Sequence, residues 1–389
     1  MEKRDRIVEA LKRAGVDGLV CFLPENVLFL SGYWPNTGRS SVVYPVEGEP
    51  VLIVPWPDLE FIPSGWNGET LEYGVGLDDQ APDQQVAALL KGVFEKRGLL
   101  GSRIGCERSF EVLAGTHIGG EVTVPGPPLF GLLEETMPGV VFECQTALIR
   151  ELRMRKTPGE IEAMKVCQDI VAYALKEAKS RLHEGMKETE VAAIIESAIM
   201  THGVGHRGVR RARGFAFVVS GPRSRGVYAW GPYNVSTERV LRKGDLVLIE
   251  LDAYADGYWA DLTRTFVVGG PEERQREIMA VVVETLEKVV ESLKPGMKAS
   301  QVGELARGLI RDAGYGDCFP HNIGHGVGFA FHEMPYLRPT SDTVLEAGMV
   351  LAIEPGIYVQ DWGGIRVEDN VVITEEGGAR YLSDLARGF

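Results

Sequence analysis

The segment "IELDAYADGYWADLTR", residues 249–264, decides how the C-terminal half of the chain folds. Its first residues alternate apolar side chains with Glu250 and Asp252, which is the two-residue period of a strand buried on one face. Asp256-Gly257 then predicts a two-residue hairpin turn, because such turns need residues that tolerate positive φ. The segment therefore predicts an antiparallel hairpin that carries Glu250 and Asp252 on one face.

The register of this hairpin sets which acidic residues face each other. With the turn as written, Asp252 lies opposite Asp261, and Glu250 lies opposite Thr263. A slip of two residues would pair Glu250 with Asp261 and leave the same side chains on the same face. Facing carboxylates repel by about 0.2–1 kcal/mol per exposed pair, and by more when buried. Two interpretations remain open at this point: a solvated acidic edge, or a site where a bound cation neutralises the charge.

The second half of the chain contains an internal repeat. Residues 182–205, "LHEGMKETEVAAIIESAIMTHGVG", resemble residues 293–316, "LKPGMKASQVGELARGLIRDAGYG", without a gap. A second pair follows in the same order, with "GDLVLIEL" at 244–251 and "GMVLAIEP" at 348–355. Two ordered pairs at nearly the same offset indicate a duplicated α+β unit. The alignment superposes Glu250 on Glu354.

Further candidate ligands follow the hairpin in "HNIGHGVGFAFHE", "LAIEPGIY" and "GGIRVEDNVVI". They are His321, His325, His332, Glu354 and Glu368. The repeat predicts that each half offers a pair of carboxylates to a shared interior. Four carboxylates and an imidazole form an oxygen-rich site for two divalent ions, which could be Mn²⁺, Co²⁺, Fe²⁺ or Zn²⁺. Two such ions favour hydrolysis of an amide-like bond, because they activate water and polarise a carbonyl.

The remaining chain predicts two domains. Residues 1–151 alternate helical segments, short apolar strands and loops rich in Gly and Pro, which predicts an α/β domain. Thr157, Pro158 and Glu160 then form a capping box that starts a long helix. We expect that helix to reach about Arg181, inside a second domain of residues 152–389.

Composition excludes some classes of partner. The chain has 389 residues, a net charge of −14 and a pI of about 5.1, so binding to nucleic acid or to anionic membranes is not expected. The charged start and the lack of a long apolar run predict a cytoplasmic protein. Its five cysteines form no C-x-x-C pair, which favours free thiols.

Several ordered motifs resemble metallopeptidase family M24, whose fold is called pita-bread. They are "LRMRKTPGEIEAM", "GYWADLTRTF", "IGHGVGFAFHEMP", "LEAGMVLAIEPGIY" and "GGIRVEDNVVIT". "PENVLFLSGY" near the N-terminus resembles the first domain of the Xaa-Pro aminopeptidase, prolidase and creatinase branch. The resemblance spans most of the chain. It implies an α/β N-terminal domain, an α+β pita-bread C-terminal domain with an internal pseudo-twofold repeat, and a homodimer.

Carried over by position, the resemblance implies roles for individual residues. The implied metal ligands are Glu250, Asp261, His325, Glu354 and Glu368. His332 would contact the substrate and stabilise the oxyanion, and Glu354 would also act as the base. Arg366 would lie near a substrate carboxylate, and Thr263 would hydrogen-bond a ligand. His321 is expected to lie next to this set.

The sequence departs from the family pattern in two places. The family usually has Asp where this chain has Glu250, and Gly where it has Asp252. Glu250 therefore reaches the metal with its longer side chain, or Asp252 replaces or modifies that ligand. The loop "SGPRSRGVYAWGPYN" lacks the histidine that is usual in proline-specific members, and Tyr228 lies there instead.

Three functions follow from these residues. The first is a dinuclear peptidase that cleaves the bond before proline in small peptides. The second is a metal-dependent hydrolase or lyase that acts on a small non-peptide amide or amidine compound, anionic compounds included, and the third is a non-catalytic binding module. The arginines of "HRGVRRARG", residues 206–214, are interpreted either as a solvated loop or as a clamp for an anionic substrate.

Overall fold

The computed structural model describes residues 3–74, 80–108, 127–228 and 235–389. The chain divides into two compact units, Met1–Arg153 and Met154–Phe389. No helix among the described residues is both long enough and apolar enough to cross a membrane.

The first unit is built on a mixed six-stranded sheet. Its elements are α1 (Lys3–Ala14), β1 (Gly18–Cys21), α2 (Pro24–Ser31), β2 (Ser41–Pro45), β3 (Val51–Pro55), β4 (Glu69–Tyr73), α3 (Pro82–Arg97), β5 (Arg103–Cys106), α4 (Pro127–Thr136), β6 (Val141–Cys144) and α5 (Thr146–Met154). The strand order is β4-β3-β2-β1-β5-β6, with β1 antiparallel to β2 and parallel to β5. Val20, Leu90 and Phe94 belong to the apolar core that joins α3 and α4 to this sheet. The α/β architecture expected for this part of the chain is present.

The helices of the second unit come in two consecutive pairs. They are α6 (Pro158–Arg181) with α7 (Glu188–Gly203), and α8 (Glu273–Ser292) with α9 (Ala299–Asp312). The capping box at the start of α6 forms as predicted. Glu160 N donates to Thr157 Oγ1 at 3.3 Å, and Thr157 N donates to Glu160 Oε2 at 2.7 Å. The long helix ends at Arg181, where the sequence placed its end.

The strands of the second unit form three sheets within the described residues. Their ranges are β7 (Ala212–Ser220), β8 (Leu246–Ala255), β9 (Tyr258–Val267), β10 (Gly324–Gly326), β11 (Glu333–Tyr336), β12 (Val350–Ile353), β13 (Gly356–Val359), β14 (Gly363–Arg366), β15 (Asp369–Ile373) and β16 (Ala379–Tyr381). The orders are β7-β8-β9, β11-β10-β12-β15-β16 and β13-β14. One core packs α6 and α7 against β7–β9, and another packs α8 and α9 against β12 and β15.

The internal repeat is visible in backbone hydrogen bonds. In each half, a glycine before the second helix and a glycine before the central strand donate to equivalent carbonyl groups, at 2.8 or 2.9 Å. The donor and acceptor pairs are Gly185 with Leu241, Gly296 with Leu345, Gly244 with Val268, and Gly348 with Ile373. The two halves are therefore built alike, as the sequence repeat predicts for a pita-bread fold.

The hairpin of β8 and β9 has the register that a two-residue turn at Asp256 and Gly257 predicts. Asp256 and Gly257 have φ angles of 47° and 89°, as a two-residue turn of this kind requires. Asp252 pairs with Asp261, and Glu250 pairs with Thr263. The slipped register is therefore not adopted.

Candidate metal centre

Strands and strand ends of the second unit bring acidic and imidazole groups to one buried place. Strand β8 carries Glu250, and β9 carries Asp261. Strand β10 contains His325, while Glu354 follows β12 directly and Glu368 immediately precedes β15. The residues come from both halves of the repeat. A shared interior lined by carboxylates from each half therefore forms.

The potential ligand atoms lie close enough to share metal ions. In three groups, one ligand atom from each residue lies within 4.8 Å of the others. The groups are Asp261, His325 and His332; His325, Glu354 and Glu368; and Glu250, Asp261 and Glu368. His325 Nε2 is 3.4 Å from Asp261 Oδ2 and 3.9 Å from Glu354 Oε1. All five residues proposed as ligands thus meet, and His332 meets them too.

The chain orients His325 through its other ring nitrogen. Nδ1 lies 2.9 Å from the carbonyl oxygen of Gly326, which accepts a hydrogen bond when Nδ1 carries the proton. That tautomer leaves the Nε2 lone pair directed at Asp261 and Glu354. A histidine ligand is commonly fixed in this way by a backbone carbonyl.

Burial and mutual repulsion raise the pKa values of several carboxylates in this cluster. Burial, followed by the charges of neighbouring carboxylates, raises the pKa of Glu354 and of Asp252 well above their ordinary values. The same two causes raise the pKa of Glu368 to about 7. One oxygen each of Asp252, Asp261 and Glu368 is buried without a hydrogen-bond partner among the described residues. Such unpaired acceptors fit divalent cations, which take oxygen ligands and would remove the repulsion.

Arg366 lies among these carboxylates. Its guanidinium is paired with Glu250, and it lies 3.4 Å from Glu354 Oε2 and 3.9 Å from Glu368 Oε2. Its Nε donates to Thr263 Oγ1 at 2.9 Å, and Thr263 Oγ1 donates to Glu368 Oε2 at 2.7 Å. Burial lowers the pKa of Arg366, but its guanidinium lies next to the acidic side chains of Glu250, Glu354 and Glu368. Arg366 therefore contributes positive charge inside the cluster.

His332 and His321 border the cluster in different ways. The His332 ring lies 4.2 Å from that of His325, and burial with the nearby His325 lowers the pKa of His332 to about 3. His321 Nε2 lies 2.9 Å from the Tyr358 hydroxyl, and its Nδ1 is 3.9 Å from Glu354 Oε2. Burial lowers the pKa of His321 to about 4. Both imidazoles are therefore neutral near pH 7.

Sequence analysis did not identify the residues that anchor the cluster from behind. Arg264 is fully buried, donates to the Glu368 carbonyl oxygen and pairs with Asp369 at 2.7 Å. Asn370 exchanges hydrogen bonds with the backbone of Asp261, at 2.8 and 3.1 Å. These contacts join β9 to β15. The available signal was an arginine within the predicted strand segment "DLTRTF", because an arginine that is buried there needs partners.

An aromatic surface beside His332 was also missed. Phe331 lies 4.5 Å from His332 and 5.2 Å from Trp259, measured between ring centroids. Phe215 stacks on Trp259 at 6.2 Å. These rings come from β7, β9 and the segment after β10. Their separation in sequence explains why no local pattern grouped them.

The basic segment is engaged mostly by acidic groups of the same unit. Arg207 pairs with Glu162 at 2.7 Å and with Asp169 at 3.5 Å. The backbone amides of Arg210 and Arg211 donate to Asp256. These contacts favour a structural interpretation over the anion clamp. Tyr228 ends a 3₁₀ helix, Gly221–Tyr228, and its side chain lies outside the described part of the chain.

Two family profiles cover most of the sequence. Residues 162–375 match metallopeptidase family M24. Residues 3–155 match the creatinase/prolidase N-terminal domain.

Individual relatives match over nearly their whole length. The chain is 32% identical to a Xaa-Pro dipeptidase of Pyrococcus furiosus over 382 residues, which is 97% of each chain. The prolidase structure from Pyrococcus horikoshii has a TM-score of 0.78 and 30% identity, covering 100% of this chain and 99% of that one. The Xaa-Pro dipeptidase structure from Bacillus anthracis has a TM-score of 0.79 and 27% identity, covering 99% and 97%.

Proposed function

The chain belongs to metallopeptidase family M24, and from that premise we propose that it hydrolyses the bond before proline in small peptides. The observation that carries the proposal is the cluster of candidate ligands, in which three overlapping groups of three residues each place their ligand atoms within 4.8 Å of one another. Relatives named Xaa-Pro dipeptidase match along 97% of this chain, which favours a dipeptidase over an aminopeptidase.

Two divalent ions would be held by Glu250, Asp261, His325, Glu354 and Glu368. The donor set is mostly carboxylate oxygen with one imidazole, which suits Mn²⁺, Co²⁺, Fe²⁺ or Zn²⁺. When bound, such ions lower the pKa of water and polarise a substrate carbonyl. The unpaired carboxylate oxygens described above are the feature of this chain that fits them.

Three side chains of this protein would have separate roles in hydrolysis. Glu354 lies in the cluster, where its carboxylate would be placed to accept a proton from attacking water. His332 is neutral, and its ring N–H can donate to the oxygen of the scissile carbonyl as negative charge develops there. Arg366 balances the acidic cluster beside them.

The aromatic surface supports a substrate with a compact apolar ring. Phe331 lies next to His332, Trp259 contacts Phe331, and Phe215 stacks on Trp259. A proline ring would pack on such a surface without leaving polar groups unpaired.

The test is hydrolysis of matched peptides by the full chain loaded with each metal in turn. We expect cleavage of dipeptides such as Leu-Pro, little cleavage of Leu-Ala, complete loss on chelation and recovery when metal is restored. A tripeptide Leu-Pro-Ala separates the dipeptidase from the aminopeptidase. Metal-loaded protein that cleaves no Xaa-Pro peptide would contradict this function.

A second candidate function is a metal-dependent hydrolase or lyase of a small non-peptide amide or amidine. The pair Glu250 and Asp252 and the loop "SGPRSRGVYAWGPYN" favour it, because both depart from the pattern usual in proline-specific members. Screening such compounds is the next step if the peptides fail. A pure binding module is disfavoured by the unpaired buried carboxylates, which cost stability without a cation.

We also propose that the protein is a cytoplasmic homodimer. The resemblance to the family implies the dimer, and five free cysteines suit a reducing compartment. Light scattering of the purified protein tests the oligomeric state directly.

A further inference from the structure

Asp252 is the least explained charged residue of the β8–β9 hairpin. Its side chain is 3% exposed, and its Oδ1 has no hydrogen-bond partner among the described residues. It faces Asp261 across the hairpin, and Asp261 is 1% exposed with its own Oδ1 unpaired. Each of these two buried, facing carboxylates therefore keeps one oxygen without a hydrogen-bond partner among the described residues.

The charged groups around Asp252 are acidic. Those that act on it most strongly are Asp261, Glu368 and Glu354. The guanidinium of Arg366 is committed to Glu250 and lies near Glu354 and Glu368. Among the described residues, Asp252 thus gains no charge-balancing contact from Arg366.

From this geometry we propose that Asp252 is an additional metal ligand, on the ion nearest Asp261. The inference rests on the proposed metal-dependent function. Asp252 and Asp261 then bind one ion from facing strands, and Glu250 binds on the side where Arg366 lies. The longer glutamate at 250 and the extra aspartate at 252 are thereby parts of one rearranged ligand set.

Charge balance supports an extra ligand. Glu250, Asp261, Glu354 and Glu368 contribute four carboxylates to the candidate ligand groups, and Asp252, which faces Asp261 across the hairpin, adds a fifth. Two divalent ions together with Arg366 carry as many positive charges as these five groups carry negative ones. An ionised Asp252 outside the metal's reach would instead stay buried without compensation.

The alternative is that Asp252 and Asp261 share a proton and bind no ion between them. This arrangement would also relieve the repulsion of two facing carboxylates. It predicts no role for Asp252 in metal affinity, so a binding measurement separates the two explanations.

The experiment compares the wild type with Asp252→Asn and with Asp256→Asn. Asp256 lies in the turn of the same hairpin and accepts hydrogen bonds from Arg210 and Arg211, so its variant matches the charge change away from the centre. Each full-length protein is stripped with chelator and titrated with Mn²⁺ or Zn²⁺ by calorimetry. Elemental analysis then gives the ions retained per chain.

We expect Asp252→Asn to bind one ion at least ~10-fold more weakly, since even groups that merely support a ligand change metal affinity by about 10–100-fold. The Asp256→Asn control should bind like the wild type. Without metal, Asp252→Asn should melt at the same or a higher temperature, because it removes repulsion. With metal, it should gain less in Tm than the wild type does.

These opposite shifts distinguish a lost ligand from a misfolded variant. A variant that merely misfolds would melt lower in both states. In Co²⁺-loaded protein, the visible absorption bands should also change in Asp252→Asn, because a ligand has been altered. Unchanged affinity, stoichiometry and spectrum would overturn the inference and leave the peptidase function intact. A wild type that binds no ion would instead overturn the proposed function.

Discussion

His332 is well suited to stabilise negative charge as a neutral hydrogen-bond donor. Its pKa is lowered to about 3, first by burial and then by His325, so the ring carries no charge across the range in which peptidases usually work. A neutral imidazole can still donate one hydrogen bond. Its position beside His325 places that donor next to the proposed metal site.

Replacing His332 by Ala should lower kcat by on the order of 10²–10³-fold, the usual cost of losing one such donor. KM and the number of ions per chain should change little. His183→Ala is the control, since His183 is exposed and contacts the Glu184 carbonyl. Steady-state kinetics with Leu-Pro and elemental analysis give both answers. Loss of an ion from His332→Ala would show that His332 is a ligand instead.

The individual site residues differ in how well sequence could predict them. His325, Glu354 and Glu368 lie in recognisable sequence motifs, so the sequence alone could predict them as metal ligands. The sequence could not predict that Arg366 lies among carboxylates, because pairing across strands depends on three-dimensional packing. Arg264 was missed for the same reason.

Strand and turn geometry followed closely from local sequence. Asp256-Gly257 fixed the hairpin register, and the capping box fixed the start of α6. Both signals are local, and their hydrogen bonds depend on residues two or three positions apart. The aromatic surface has no local signal, because β7, β9 and the segment after β10 meet only when the sheets pack.

The repeated halves provide a matched pair of glycines. Gly244 and Gly348 both have a φ of 87° and precede β8 and β12. A Cβ at Gly348 would lie 2.9 Å from the backbone oxygen of Lys156, whereas a Cβ at Gly244 would meet nothing within 4 Å. Positive φ alone makes Ala unfavourable at both positions by roughly 1 kcal/mol.

Gly348→Ala should therefore destabilise the second unit more than Gly244→Ala does. The difference between the two variants isolates the contact with Lys156, because the backbone conformation is shared. Thermal unfolding monitored by circular dichroism measures both. Equal losses of Tm would mean that the Lys156 backbone moves aside without cost.

The two-unit organisation places the proposed ligands in residues 154–389 alone. A ligand that binds only the folded state stabilises by RT ln(1 + [L]/Kd), which is about 2.7 kcal/mol when free ligand is 100 times Kd. The gain in stability from metal binding should be confined to the unit that contains the metal-binding side chains. The sequence repeat anticipated this concentration of ligands, whereas it carries no signal for the subunit contacts of a dimer.

Hydrogen exchange with and without Mn²⁺ should thus separate the two units. Peptides from β8–β9 and from β12 and β15 should exchange more slowly with metal, because opening them would release bound ions. Peptides from β1 to β5 lie in the other unit and should exchange at unchanged rates. The same comparison on Asp252→Asn provides an internal check, since its metal-dependent protection of β8 should be smaller. Equal protection throughout the chain would mean that the metal acts on both units, and no protection in β8–β9 would place the ions elsewhere.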